Sequence, residues 1–162
     1  MRTKALSPFI ASALLILMGI TGIYLALTVL TPAVDKAKDA GVINEALQNL
    51  KLIDDNIREV ASEGRDSKRT FSIKVTEGMY KVDSSINFIN FTYNLKTNLD
   101  ISGQRDNINI TRSGNDINLF ISYTKSQIQG SDHFTKGENS IMILNNGTNA
   151  TTNYPIIYVG RS

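Results

Sequence analysis

Residues 5–34 read ALSPFIASALLILMGITGIYLALTVLTPAV, and no charged residue falls between Lys4 and Asp35. A helix rises about 1.5 Å per residue, so ~20–25 residues cross the hydrocarbon core of a bilayer. The run from Leu6 to Leu30 is long enough to do so. No later stretch approaches its hydrophobicity, and the chain beyond it is polar and rich in Asn, Thr and Ser. The chain therefore reads as a hydrophobic stem carrying a polar head.

Toward the amino terminus, Arg2 and Lys4 precede the stem. Basic residues before a span hold that end in the cytoplasm, so the bulk of the chain is expected outside. The apolar run is about twice the ~7–15 residues of a cleaved secretory signal. Its far end, Leu25-Ala26-Leu27-Thr28-Val29, carries no small-x-small cleavage pattern. The helix is expected to be retained, with a transmembrane segment at about residues 8–30. Ser7-Pro8 suits a helix start, because Ser caps free amides of the first turn and Pro fits the first helical position. Gly19, Gly22 and Ala26 are candidate helix-packing positions, since small residues three or four apart let a second helix approach closely.

Composition narrows the function. Arg2 and Lys4 account for the whole excess of 17 basic over 15 acidic residues. A nucleic-acid-binding protein would be expected to carry a basic patch, so no nucleic-acid partner is expected. The chain has no cysteine, which removes disulfides and thiolate metal sites. Its one histidine, His133, cannot build a multi-histidine site. Asp54-Asp55 reads as solvated helix charge, and Asp100, Asp106 and Asp116 are scattered through turn-like segments without a full calcium loop. No nucleophile–base constellation, P-loop or dinucleotide fingerprint occurs. No cofactor, no metal and no enzymatic activity are expected.

Beyond Thr31-Pro32 the pattern becomes amphipathic. Ile43, Leu47, Leu50, Ile53 (or Asp54), Ile57 and Val60 recur at spacings of three and four, and charged residues from Asp35 to Glu59 fill the other side. That stripe packs one helix face on a core. Pro32 and Gly41 are weak points that permit a bend. One long helix from residue 6 to Ala61 is expected, with Gly64 as its C-cap.

Residues 69–162 change to period two. Runs at 70–75, 79–83 and 89–95 alternate, Ile108 to Tyr123 reads as a hairpin around Ser113-Gly114-Asn115-Asp116, and 140–144 and 154–159 complete the set. About seven short strands make an antiparallel sheet or small sandwich, with the amphipathic helix over one face. Residues 124–139 read as a loop. The fold class is α+β.

Four sequons, at Asn90, Asn109, Asn146 and Asn149, are candidate N-glycosylation sites on an external head. Asn90 and Asn109 fall on the polar sides of their strands. Asn146 and Asn149 read as a loop pair, the better candidates of the four.

The short basic leader, Lys4-Ala5, the Leu6-Ser7-Pro8-Phe9-Ile10-Ala11 start and the unbroken apolar helix resemble archaeal type IV pilin-like proteins. In that family a prepilin peptidase cuts on the cytoplasmic side, just before the apolar helix. The resemblance covers residues 2–30 and the general layout of the rest. It implies a leader of residues 1–5, cleavage between Ala5 and Leu6, and a mature chain starting Leu6-Ser7-Pro8. Bacterial-type pilins carry a Glu at the fifth mature position, where this chain has Ile10; many archaeal relatives also lack it. The resemblance further implies a structural subunit of an extracellular filament, held in the membrane before assembly and bundled with identical or related subunits afterwards. The prepilin peptidase and the pilus assembly machinery would be its partners, and surface adhesion a property of the head. The competing reading is a non-polymerising, single-span protein whose extracellular β domain binds a ligand or partner.

Overall fold

The computed structural model describes residues 8–162. The leader residues, Ala5, Leu6 and Ser7 lie outside the described residues. Helix α1 (Pro8–Glu63) is unbroken. It runs through Pro32, which has no N–H to offer the Thr28 carbonyl one turn back. Eight strands come after it: β1 (Lys68–Asp83), β2 (Phe88–Asn94), β3 (Gly103–Arg105), β4 (Ile108–Ser113), β5 (Asp116–Ser122), β6 (Gln127–Gln129), β7 (His133–Thr148) and β8 (Pro155–Arg161). They form one sheet in the order β3-β4-β5-β2-β1-β7-β8-β6. Every pairing is antiparallel except that of β6 with β8. The class is α+β, and the head is a sheet rather than a two-sheet sandwich.

The outer half of α1 lies against one face of this sheet. Val42, Ile43, Ala46, Leu50, Ile53, Ile57 and Val60 are each at most 3% exposed. They meet inward residues of β1, β2, β4, β5, β7 and β8, among them Ile73, Tyr80, Phe91, Leu119, Ile143 and Val159. Alternation supplies that inner face: in β5, Ile117, Leu119 and Ile121 are buried while Asn118, Phe120 and Ser122 point away from it.

Three local expectations change. The Thr76-Glu77-Gly78 segment does not separate two strands. β1 continues through it with a register shift between Val75 and Met79, because β7 pairs along both halves. Gly78 takes φ +85° there, a conformation glycine adopts without steric cost. Residues 124–139 are not one loop, since they contain β6 and the first part of β7, anchored by the buried Ile128 and Phe134. Asn146 lies on β7, and the loop begins only after Thr148.

The helix ends where its carbonyls find partners. Gly64 has φ +92°, the Ser67 hydroxyl donates to the carbonyls of Val60 (2.8 Å) and Gly64 (2.7 Å), and Asn145 Nδ2 donates to Val60 O at 3.1 Å. Asn145 is thus buried with a purpose: it ties the top of the stem to β7.

Candidate functional site

The inner half of α1 has no cover. From Phe9 (81% exposed) to Val34 (63%), its large apolar side chains point outward all round, and none of the apolar window is buried within the chain. Exposing one Leu, Ile or Phe side chain to water costs roughly 1.5–3 kcal/mol. The whole set would cost on the order of tens of kcal/mol, more than the ~5–15 kcal/mol that stabilises an ordinary domain. Some apolar phase must therefore surround this segment. It is the one described helix long and apolar enough to span a membrane.

The few polar groups in that half fit such a phase. Ser12 donates to Phe9 O (2.9 Å), Thr21 to Leu17 O (2.8 Å), Thr28 to Leu25 O (2.9 Å) and Thr31 to Leu27 O (2.8 Å). Each of these hydroxyls is satisfied within the helix, as lipid requires. Gly19, Gly22 and Ala26 share one face at 3.6 residues per turn, with Ser12 and Ala33 in the same quarter of the circumference. A Cβ built on Gly19 or Gly22 would meet nothing within 4 Å. Among the described residues nothing requires these two glycines to be small.

Above the exposed segment the stem is keyed to the head by polar contacts on its flanks. Asp39, expected among the solvated charges, is fully buried. Its Oδ1 accepts from the Tyr93 hydroxyl at 2.8 Å. Its Oδ2 accepts from the amides of Lys96 (3.0 Å) and Thr97 (2.8 Å) and from the Thr97 hydroxyl (2.7 Å). Burial works to raise the Asp39 pKa, but the bonds from Thr97, Tyr93 and the Lys96 amide outweigh it, and the net shift is downward. The same neighbourhood, burial first and Asp39 second, pushes the Tyr93 phenol up. Lys38 pairs with Glu77 at 2.6 Å, and Glu45 accepts from both the amide and the hydroxyl of Thr76 (2.7 and 2.6 Å). Asn49 donates to Lys74 O at 2.8 Å. These contacts grip the irregular segment of β1.

Higher up, Asp54 is also buried rather than solvated, while Asp55 is exposed. Asp54 Oδ2 accepts from Arg58 Nε (2.8 Å) and Asn107 Nδ2 (3.2 Å). Asp54 Oδ1 and the Tyr123 hydroxyl are buried without a partner among the described residues. His133 is exposed at the start of β7, opposite Lys81 of β1, and its carbonyl accepts from Arg161. Among the described residues no group of three His, Cys, Asp or Glu side chains could hold a metal ion. A shallow depression of about 590 Å³ lies over Gly78, Thr92, Asn94 and Asn118.

The sequons are divided by the fold. Asn90 and Asn109 lie on the sheet face away from α1, on either side of Phe120. Asn146 is exposed near the end of β7, and Asn149 sits in the loop before β8.

No family model, curated protein or solved structure matches the chain. The architecture has to be read on its own geometry. A long apolar N-terminal helix followed by a β-sheet fits a pilin-like layout. The cleavage position between Ala5 and Leu6 falls outside the described residues. Sequence reasoning missed Asp39 and Asp54, whose surroundings are built by residues far along the chain.

Proposed function

We propose that the chain is a structural subunit of a type IV pilus-like extracellular filament. The observation that carries this reading is the single helix with two different halves. Its outer half is the buried spine of the head, and its inner half is fully exposed and apolar. The rigid connection means that whatever holds the inner half also positions the head.

Before assembly that holder is the bilayer, with Arg2 and Lys4 on the cytoplasmic side and the head outside. After cleavage between Ala5 and Leu6 by a prepilin peptidase, the assembly machinery extracts the helix. It then packs against helices of identical or related subunits. Lipid is as apolar as Leu, so the exchange gains little from hydrophobicity and depends on close packing. The open stripe of Gly19, Gly22 and Ala26 supplies that closeness. The heads would face water, where adhesion is a property of their outer sheet face.

Amino-terminal sequencing of the protein purified from its native cells tests the reading. A mature chain beginning Leu6-Ser7-Pro8 is expected. A chain that retains residues 1–5 removes the processing step and favours a permanently anchored, non-polymerising β domain.

A further inference from the structure

In a strand, residues i and i+2 share a face. The intervening Phe91 and Ile110 are buried, so the pairs Asn90/Thr92 and Asn109/Thr111 turn away from α1, while Asn146 and Thr148 are exposed on either side of the buried Gly147. We infer that Asn146 is an N-glycosylated residue, and that Asn90 and Asn149 remain unmodified. This rests on the reading that the head lies outside the membrane.

The geometry separates the sites. A glycan must fit the folded head whether it is added before or after folding. Asn146 and Thr148 are both exposed, and among the described residues the only side-chain bond of Asn146 is a 3.4 Å contact from its Nδ2 to Gln129 Oε1. The neighbouring Asn145 does the structural work: its Nδ2 donates to Val60 O and its Oδ1 accepts from Gly147 N at 2.9 Å. Pairing with β8 is irregular between Asn145 and Thr148, and Gly147 has φ +102°. The sequon therefore sits on a bend, with its Asn exposed and held by that one long contact.

Asn149 is occupied at both ends of its amide. Its Oδ1 accepts from Thr151 N (2.8 Å) and Thr152 N (3.2 Å), and its Nδ2 donates to Gln127 Oε1 at 2.8 Å. These bonds close the loop before β8. Asn90 stands between Lys81 and Phe120 on the two neighbouring strands, and its Oδ1 is buried. A sugar on Asn90 would have to push these strand neighbours aside. Asn109 is intermediate, half-buried beside the same Phe120 but next to the short edge strand β3.

The donor would be a glycan linked to a lipid phosphate. Asn146 Nδ2 attacks the anomeric carbon, and the new bond forms between that carbon and nitrogen. The bond from the anomeric carbon to the phosphate oxygen breaks, the lipid phosphate leaves with its electron pair, and the amide proton passes to solvent.

Mass spectrometry of the full chain from its native cells tests the assignment. Proteolysis after Lys and Arg gives the segment 137–161, which contains Asn146 and Asn149, and separate segments for Asn90 and Asn109. Fragmentation that preserves the glycan is expected to place it on Asn146. Asn146→Gln and Thr148→Ala should each abolish it, whereas Thr148→Ser and Asn149→Gln should retain it. A glycan on Asn149 or Asn90, or an unmodified Asn146 on a head that protease digests from outside intact cells, overturns the assignment. A head that external protease cannot reach overturns the topology beneath it instead.

Discussion

The Tyr93 hydroxyl donates to the buried Asp39 carboxylate at 2.8 Å, and this contact joins the stem to the end of β2 just above the exposed apolar segment. With the neighbouring Lys38–Glu77 pair it fastens the start of the head-bound half of α1 to the sheet. A carboxylate with four donors around it is a strong junction, because every donor loses its partner together if Asp39 is lost. Asp39→Ala should therefore destabilise the head by about 3 kcal/mol or more, while leaving membrane insertion intact. Denaturant titration of the detergent-solubilised full chain would read the shift.

The same junction sets an acid limit. Asp39 has a folded pKa below its ordinary value of 3.8. Its contribution is complete above the ordinary carboxylate range and is lost as pH falls through the lower, folded value. The head should lose stability on acidification below about pH 4, and Asp39→Ala should flatten that part of the profile. Melting curves between neutral and acid pH check the sign: a loss of stability on raising pH through the same window would contradict it.

Gly78→Ala should disrupt the head more than an ordinary surface substitution. The added Cβ would run into the Phe91 ring and approach Thr92 O to 2.8 Å, at a backbone φ of +85°. Strain and overpacking of this kind cost about 2–4 kcal/mol. Equilibrium unfolding would show it, with Gly114→Ala as a control that keeps the positive-φ penalty but meets no neighbour.

Gly22→Leu should leave the head and its membrane insertion unchanged, because a Cβ there meets no described residue within 4 Å and the head lies beyond the apolar segment. It should abolish or sharply reduce polymerisation, since a bulky residue holds neighbouring helices apart. Electron microscopy of cells carrying the variant, with membrane content measured in parallel, separates the two effects. A normal yield of filaments would show that this stripe is not the packing face.

Ile16→Asp should fail one step earlier. A carboxylate at the centre of a span costs about 2.5–3.5 kcal/mol or more on insertion. The variant should be depleted from membranes, as fractionation would detect.

Much of the fold is legible in the sequence because its signals are local. The charge-free run to Val34 and the Ile43–Val60 stripe mark the two halves of α1 directly, and the Ile108–Tyr123 alternation marks the β4–β5 hairpin. The buried carboxylates are not legible. Tyr93, which bonds Asp39, and Asn107, which bonds Asp54, lie more than fifty residues along the chain, and at helical spacing either Asp looks like solvated charge. The irregularity in β1 reads as a turn because both would use the residues Thr76-Glu77-Gly78. β3 and β6 are three residues each, too short to show alternation. The opening of β7 carries one large apolar anchor, Phe134. The place of Asn146 on β7 is hidden by the same weakness: Asn and Gly dominate that segment and mask its pairing with β8.

Mechanical shearing of native cells tests the central claim most directly. The sheared surface material, pelleted and freed of membrane, should contain this chain in filaments visible by electron microscopy and labelled by antibody against the head. Recovery of the chain solely in the membrane fraction, with no labelled filament in the sheared material, would contradict the account.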